Sequence, residues 1–306
     1  MRPASFDLIV IGEGVAGLAC ARRAAALGLR SATFEGAVFG GLILNVNELD
    51  PPPPDGPPSG AEFASAIVEA NAGLGVQSHA MAVTELRQTS AGFEVIADGG
   101  VYCATHVVVA AGATRATLGV PGEAELMGRG VSQCADCDGP LYRGQDVVVV
   151  GGGDSALQEA HALARYCRTV YVVHRRDTFR ARPRFVDRIA PEPAIKPILH
   201  HQVLRVHGDA GGVTGVTLRD ATFGTLRELA CSALFAYVGL RPNAAFLPPE
   251  ITRDSRGHLV TGTDLATSIP GVYAIGAVRA AYGGTIADAM REAAMVATAL
   301  AGRMAQ

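Results

Sequence analysis

Four apolar residues in a row, Leu8-Ile-Val-Ile11, run straight into Gly12-Glu-Gly14-Val-Ala-Gly17. A short unbroken apolar run bounded by glycines is the pattern of a strand buried on both faces of a parallel sheet. An alanine-rich stretch from Leu18 to Leu27 predicts a helix, and Ser31-Ala-Thr-Phe34 returns as a second strand ending at Glu35. The alternation then recurs. Val147–Val150 feeds Gly151-Gly152-Gly153-Asp154-Ser155-Ala156, a helix from Leu157 to Tyr166, and a strand from Thr169 to Val173. Val107-Val-Val-Ala-Ala111-Gly-Ala-Thr reads as strand and turn between the two. Near the C-terminus, Thr267 to Gly276 reads as a strand ending in glycine, followed by a helix from about Thr285. Strand, glycine turn, helix and strand, twice over, predict an α/β chain with two Rossmann-like dinucleotide-binding domains.

Each turn has a physical logic. Gly12 makes the tight turn, Gly14 lets a pyrophosphate approach the backbone, and Gly17 lets helix pack on strand. Glu35 ends the second strand about twenty residues on, where a carboxylate accepts both ribose hydroxyls of an adenosine. In the second repeat that position carries His174-Arg175-Arg176, with Arg180 close behind. A carboxylate there repels a 2′-phosphate, whereas guanidinium groups bind it bidentately. The second site, with Gly151, Gly153, Asp154, Ser155 and Ala156 at its turn, is therefore expected to take NADPH over NADH, and the first suits the adenosine of FAD. The expected order is a split FAD domain, residues 1–112 and 241–306, with the NADPH domain, residues 113–240, inserted in it. Linkers at Ala113–Gly122 and Gly239–Ala245 permit relative rotation.

Composition narrows the class. The chain has 306 residues, 49% hydrophobic and 18% charged, long enough for two cores. Its net charge is −3 with no basic block, which gives nucleic acid no footprint. Apolar runs stop well short of the roughly 18 residues that a membrane helix needs. The first strand begins almost at once and leaves no room for a signal peptide, so a cytoplasmic enzyme is expected. Cys20, Cys103, Cys167 and Cys231 read as small buried residues, which fits a compartment where disulfides are rare. His200, His201 and His207 read as peripheral.

Cys134-Ala-Asp-Cys137-Asp138-Gly139 is different. Two thiols two residues apart can form a disulfide, and a low thiol pKa makes such a pair easy to open and close. Asp138, directly after the second cysteine, can supply or accept a proton. Structural zinc wants four ligands, and the sequence has no second Cys-x-x-Cys or His-x-x-x-His to complete a set. A redox dithiol is the better reading.

With these segments in this order, the chain resembles the low-molecular-weight thioredoxin reductases. The likeness runs through the Gly12 turn, Glu35, Gly40-Gly41, the Cys134–Gly139 segment, Gly151–Ala156, His174–Ala181 and the Thr267–Gly276 strand. It implies that NADPH reduces FAD, FAD reduces the Cys134–Cys137 disulfide, and the dithiol reduces a thioredoxin-like protein or a small disulfide. It also implies that Cys137 faces the flavin, Cys134 attacks the external disulfide, Asp138 is the acid, and the enzyme is a homodimer with a swinging NADPH domain. The departures all surround the flavin. Leu42 stands where the family carries Gln, and Asp50 to Pro58 replaces an Asn-x-Pro-Gly segment, with Asn45 or Asn47 the candidate stand-in. The proline-rich stretch reads as a stiff surface loop. Gly276-Ala277 replaces Gly-Asp, and Val278–Thr285 lacks the family's Arg-Gln, although Gly283 and Gly284 leave room for the amides of the helix start, at Thr285, to approach the ring. Two alternatives share the scaffold: a flavin-dependent oxidase that makes a disulfide in a small molecule with oxygen as acceptor, and a redox-sensing protein without turnover.

Overall fold

A computed structural model describes residues 4–46, 49 and 59–304 of the chain. Asn47 and the proline-rich stretch 50–58 lie outside the described residues. The chain divides into two compact units, Met1–Thr114 with Arg241–Gln306, and Arg115–Leu240.

The first unit is built on β1 (Ser5–Ile11), in which Leu8, Ile9 and Val10 have no exposed surface. α1 (Val15–Ala26) and β2 (Ser31–Phe34) follow, then α2 (Gly60–Gly73) and β3 (Gln77–His79). A hairpin, β4 (Val83–Thr89) and β5 (Gly92–Ala97), leads into the long β6 (Gly100–Val109) and out through β7 (Ala113–Arg115). Strands run β3-β2-β1-β6, all parallel. β6 changes partner along its length: its first half pairs antiparallel with β5, and Val107–Val109 pairs parallel with the last strand of the unit.

One face of that sheet is covered by α1 and the C-terminal helix. Ala16, Ala19, Cys20 and Ala24 of α1 meet Ala289, Ala293, Val296 and Leu300, and small residues let the two helices approach closely. The other face packs on Phe6, Phe34, Phe93, Leu247 and Ile251.

The second unit contains β8 (Val131–Ser132), α3 (Ala135–Asp138), β9 (Asp146–Gly151), α4 (Asp154–Leu163) and β10 (Thr169–Val173). It continues with α5 (Pro183–Ile189), β11 (Ile195–Ile198), β12 (His201–Asp209), β13 (Gly212–Asp220), β14 (Leu226–Ala230) and β15 (Ala233–Tyr237). A parallel sheet runs β11-β10-β9-β15-β8, and β12-β13-β14 form a separate antiparallel sheet. Leu157, Ala160 and Leu163 of α4 pack on one face of the parallel sheet with Phe185 and Ile189 of α5. Val203, Val206, Val216 and Leu218 of the antiparallel sheet cover the other. The chain returns to the first unit through β16 (Leu240–Pro242) and ends in β17 (Val272–Ala274) and α6 (Ile286–Met304).

The lone cysteines fall as expected with one exception. Cys20, Cys167 and Cys231 are buried, with thiols pushed up by burial to about 12, 11 and 12. Cys103 is only half-buried, on the part of β6 that pairs with β5. His207 is half-buried on β12, against Thr217 and Glu228. Among the described residues no cluster of His, Cys, Asp or Glu is arranged to hold a metal, and no helix is long and apolar enough to cross a membrane.

Candidate active site

In the first unit the β1–α1 turn is shaped by contacts that admit only glycine. Gly12 has φ +105°, and a Cβ there would lie 2.4 Å from the carbonyl oxygen of Ala110. A Cβ on Gly17 would lie 1.9 Å from the Gly12 carbonyl oxygen, so helix and turn touch through their backbones. Gly14, the N-cap of α1, faces open space: a Cβ there would meet nothing within 4 Å among the described residues. The first turn of α1 carries no acid and no side-chain cap. Its N–H groups and dipole are left to an anion, and a dinucleotide pyrophosphate fits.

Gly40 and Gly41, some twenty-five residues away in sequence, close on the same turn. The Gly40 N–H donates to the Glu13 carbonyl at 2.6 Å, and a Cβ on Gly41 would lie 3.7 Å from Gly14 Cα. Leu42 and Asn45 follow in a short 3-10 helix, Gly41–Asn45, and both are exposed. Glu35 sits at the end of β2, its carboxylate accepting the N–H groups of Glu13 and Ala37 at 3.0 Å each. That fixes it where a ribose would lie across the turn.

Sequence reasoning missed Glu13. It is 5% exposed, and its carboxylate accepts the hydroxyls of Thr33 (2.5 Å) and Ser78 (2.6 Å), tying the ends of β1, β2 and β3 together. His79 stacks on Phe34 beside this group, and burial holds its pKa below the usual value while Glu13 opposes the shift.

The C-terminal turn approaches the same helix. Gly276 has φ +72°, and a Cβ there would lie 3.0 Å from Ala16 of α1. Ala277 is half-buried beside it. The Gly276 N–H donates to Glu292, which is 1% exposed and pairs with Arg279 at 2.5 Å. Neither member of this pair was singled out from sequence. Thr285 caps α6: its hydroxyl donates to Asp288 Oδ2 (2.7 Å) and accepts the Asp288 N–H (3.0 Å). Asp288 folds back over Gly283, where a Cβ would lie 2.2 Å from its carboxylate. The start of α6 therefore already has an acid of its own, whose charge offsets the pull that the helix dipole would exert on a reduced ring.

In the second unit, a Cβ on Gly151 would clash with the Tyr237 carbonyl at 2.5 Å, and one on Gly152 with the His174 ring at 2.3 Å. His174 is thus a wall of the turn. It is 8% exposed, and burial holds its pKa below the usual value, with the three neighbouring arginines acting in the same direction. Ala156 packs against Gly151, Ser155 is exposed, and the Arg180 guanidinium lies 3.6 Å from the position of a Cβ on Gly153. Arg175, Arg176 and Arg180 are all exposed at the end of β10. Asp154 is engaged: its carboxylate accepts the N–H (2.8 Å) and Nε–H (2.5 Å) of Arg182. A glycine turn open at Gly153, with exposed guanidinium groups at the next strand end, fits a 2′-phosphorylated dinucleotide.

Cys134 and Cys137 form a disulfide across α3, Cα to Cα 5.3 Å. Cys137 is exposed and Cys134 half-buried. The Cys137 N–H donates to Cys134 Sγ at 3.3 Å. Ser132, also missed from sequence, joins the parts: its hydroxyl donates to Asp138 Oδ2 (2.6 Å) and its oxygen accepts the Cys134 N–H (3.1 Å). Beneath the turn, Glu159 of α4 accepts the Ala135 N–H at 3.1 Å. No spacing rule links residue 132 or 159 to the cysteines, so only the fold could show them.

Residues 6–299 match the family described as pyridine nucleotide-disulphide oxidoreductase. The chain is 37% identical to a thioredoxin reductase of Treponema pallidum, covering 97% of this chain and 96% of that one. It is 36% identical to a thioredoxin reductase of Listeria innocua, covering 90% and 86%. Among solved structures, the thioredoxin reductase of T. acidophilum superposes with a TM-score of 0.90 at 31% identity over 99% of each chain. That of Lactococcus lactis gives 0.91 at 32% identity over 96% and 97%.

Proposed function

Since the chain belongs to the pyridine nucleotide-disulphide oxidoreductases as a low-molecular-weight thioredoxin reductase, we propose that its dithiol reduces the disulfide of a thioredoxin-like protein, with the residue roles that follow. The observation that carries this reading is the Cys134–Cys137 disulfide set in one hydrogen-bonded turn with Ser132 and Asp138. When bound, NADPH and FAD supply the electron pair that opens that disulfide.

In the first unit, the open N-terminus of α1 at Gly14 and the glycine pair Gly40-Gly41 hold the pyrophosphate of FAD, and Glu35 holds the ribose. Ala277 and Leu42 contribute no polar group, so these contacts bear most of the affinity. Arg175, Arg176 and Arg180 hold the 2′-phosphate of NADPH, while His174 keeps the glycine turn in shape.

Cys134 carries the thiolate, because its sulfur already accepts the Cys137 N–H and a charged acceptor strengthens that bond. It attacks one sulfur of the partner disulfide; that S–S bond breaks, and the departing thiolate takes the proton of the Asp138 carboxyl. The ionised Asp138 takes the proton of Cys137, whose thiolate then attacks Cys134 in the mixed disulfide. The bond from Cys134 to the partner breaks, the Cys134–Cys137 bond is restored, and the second partner sulfur leaves as a thiolate that takes that proton from Asp138. Ser132 keeps Asp138 facing this exchange. The enzyme acts as a homodimer, a reading supported by its resemblance to the family and checked by sedimentation of the purified protein.

The test is NADPH consumption with an oxidised thioredoxin and, separately, with a small aromatic disulfide. Turnover with the protein disulfide supports the proposal. Oxygen uptake driven by an added dithiol, without NADPH-dependent disulfide reduction, would replace it with the oxidase reading.

A further inference from the structure

The dithiol turn rests on a carboxylate that the exchange above does not use. Glu159 lies on α4, the helix that begins at the second glycine turn, and its Oε2 receives two hydrogen bonds. One comes from the N–H of Ala135 at 3.1 Å and the other from the hydroxyl of Tyr237, at the end of β15, at 3.2 Å. Ala135 directly follows Cys134 and has no exposed surface. On the other side of Cys134, the Arg115 guanidinium donates to the carbonyl of Gln133. The backbone is therefore pinned on both sides of the reactive sulfur, once by a cation and once by an acid.

We infer that Glu159 is a positioning residue for the dithiol, fixing the backbone behind Cys134 and setting the charge that the Cys134 thiolate meets when the disulfide opens. The inference rests on the dithiol role proposed above. The groups that face Glu159 are Asp136 from α3, Arg115 from β7, Tyr237 from β15 and the Ala135 N–H. Burial raises the carboxyl above its usual range and Asp136 adds to this, while the Ala135 N–H, Tyr237 and Arg115 act the other way. Burial also raises Tyr237 well above the ordinary phenol range, so its hydroxyl remains a donor. An ionised Glu159 opposes a second negative charge on the turn, and a protonated one does not, so the two titrations are coupled.

Glu159→Gln keeps the shape and an oxygen for both donors but removes the charge; Glu159→Ala removes both bonds. The readout is the pH profile of alkylation of Cys134 and Cys137 by iodoacetamide in the reduced protein, followed by mass spectrometry, beside NADPH-dependent disulfide turnover. In Glu159→Gln the alkylation profile moves to lower pH by about half a unit or more, and turnover stays within about threefold of the wild type. In Glu159→Ala, which leaves the buried Ala135 N–H without its acceptor, turnover falls by about tenfold or more, with NADPH affinity and melting temperature reporting that the unit is folded. If Glu159→Ala fails to fold, Glu159→Gln alone decides through its alkylation profile. A profile unmoved in Glu159→Gln overturns the inference. A wild type that lacks disulfide turnover strikes the functional reading instead, because alkylation still reports on Glu159.

Discussion

Cys134, Cys137 and Asp138 stand out in the sequence as a candidate set because their spacing is local; a three-residue separation suffices to say that two sulfurs can meet, and the structure pairs them as a disulfide. The contacts that join the set to its surroundings were not legible. Ser132 binds Asp138 to the Cys134 backbone, and Glu159 supports Ala135 from another helix. Cys134→Ser and Cys137→Ser should each abolish disulfide reduction and leave NADPH-driven bleaching of the flavin intact, read by anaerobic absorption spectroscopy. Substantial disulfide turnover in either variant would remove the pair from the redox centre. Glu35 makes a second residue-scale case. Its carboxylate is held by two N–H donors, and a charge-assisted bond is worth about 1.5–3 kcal/mol. Glu35→Ala should therefore weaken FAD by about tenfold or more, measured by titrating apo-protein. Affinity unchanged from the wild type would mean that the ribose is held elsewhere. Glu13, by contrast, sat unnoticed between two recognised glycines, because the partners that bury it, Thr33 and Ser78, lie on other strands.

Elements buried on both faces declared themselves, since β1 and β9 carry unbroken apolar runs, Leu8–Ile11 and Val147–Val150, that end at glycine. Their helices start earlier than the apolar pattern suggests: α4 opens at Asp154 because Gly153 is its cap, and α1 opens at Val15. The hairpin β4–β5 and the sheet β12-β13-β14 did not stand out. Their strands mix buried positions with half-buried or exposed ones, and β14 is exposed along most of its length, so no unbroken apolar run marks them. On the proposed function, the unit β9–α4–β10 carries the nucleotide choice. With Arg175 and Arg176 exposed at the end of β10, and His174 beneath them, Arg175→Ala/Arg176→Ala should weaken NADPH by tenfold or more, about 1.5–3 kcal/mol, and leave NADH nearly unchanged. Equal losses for both coenzymes, in a steady-state comparison, would assign the two arginines to the fold alone. Ala277→Asp probes the other end of the chemistry. The site beside it holds the Glu292–Arg279 pair with Glu292 buried, so a second carboxylate adds like charge and should weaken FAD unless the ribityl hydroxyls meet it. Apo-protein titration gives the sign.

Across the molecule, four histidines share one direction. Burial is the largest cause that holds His79, His106, His161 and His174 below the ordinary imidazole value. The unfolded chain then takes up protons near pH 6.5 before the folded one does, so their contribution is complete above that pH and is lost as pH falls through the lower folded values. Glu159, raised by burial, works the opposite way as a single group. Melting temperature should therefore drop as pH is lowered below about 6.5, above the range where the paired carboxylates of Asp7 and Asp146 begin to protonate. A melting temperature that is flat or rises on acidification would contradict this.

On the proposed function, electrons pass from NADPH through a flavin and the Cys134–Cys137 pair to a partner disulfide. The most direct test of this route is an anaerobic NADPH titration of the purified protein, followed by visible absorption, with alkylation of the product. The flavin bands should be present at the start and bleach on addition of NADPH, and Cys134 and Cys137, protected beforehand as a disulfide, should both become alkylated. A protein without flavin bands, or one whose bands bleach while both cysteines stay protected, would contradict it.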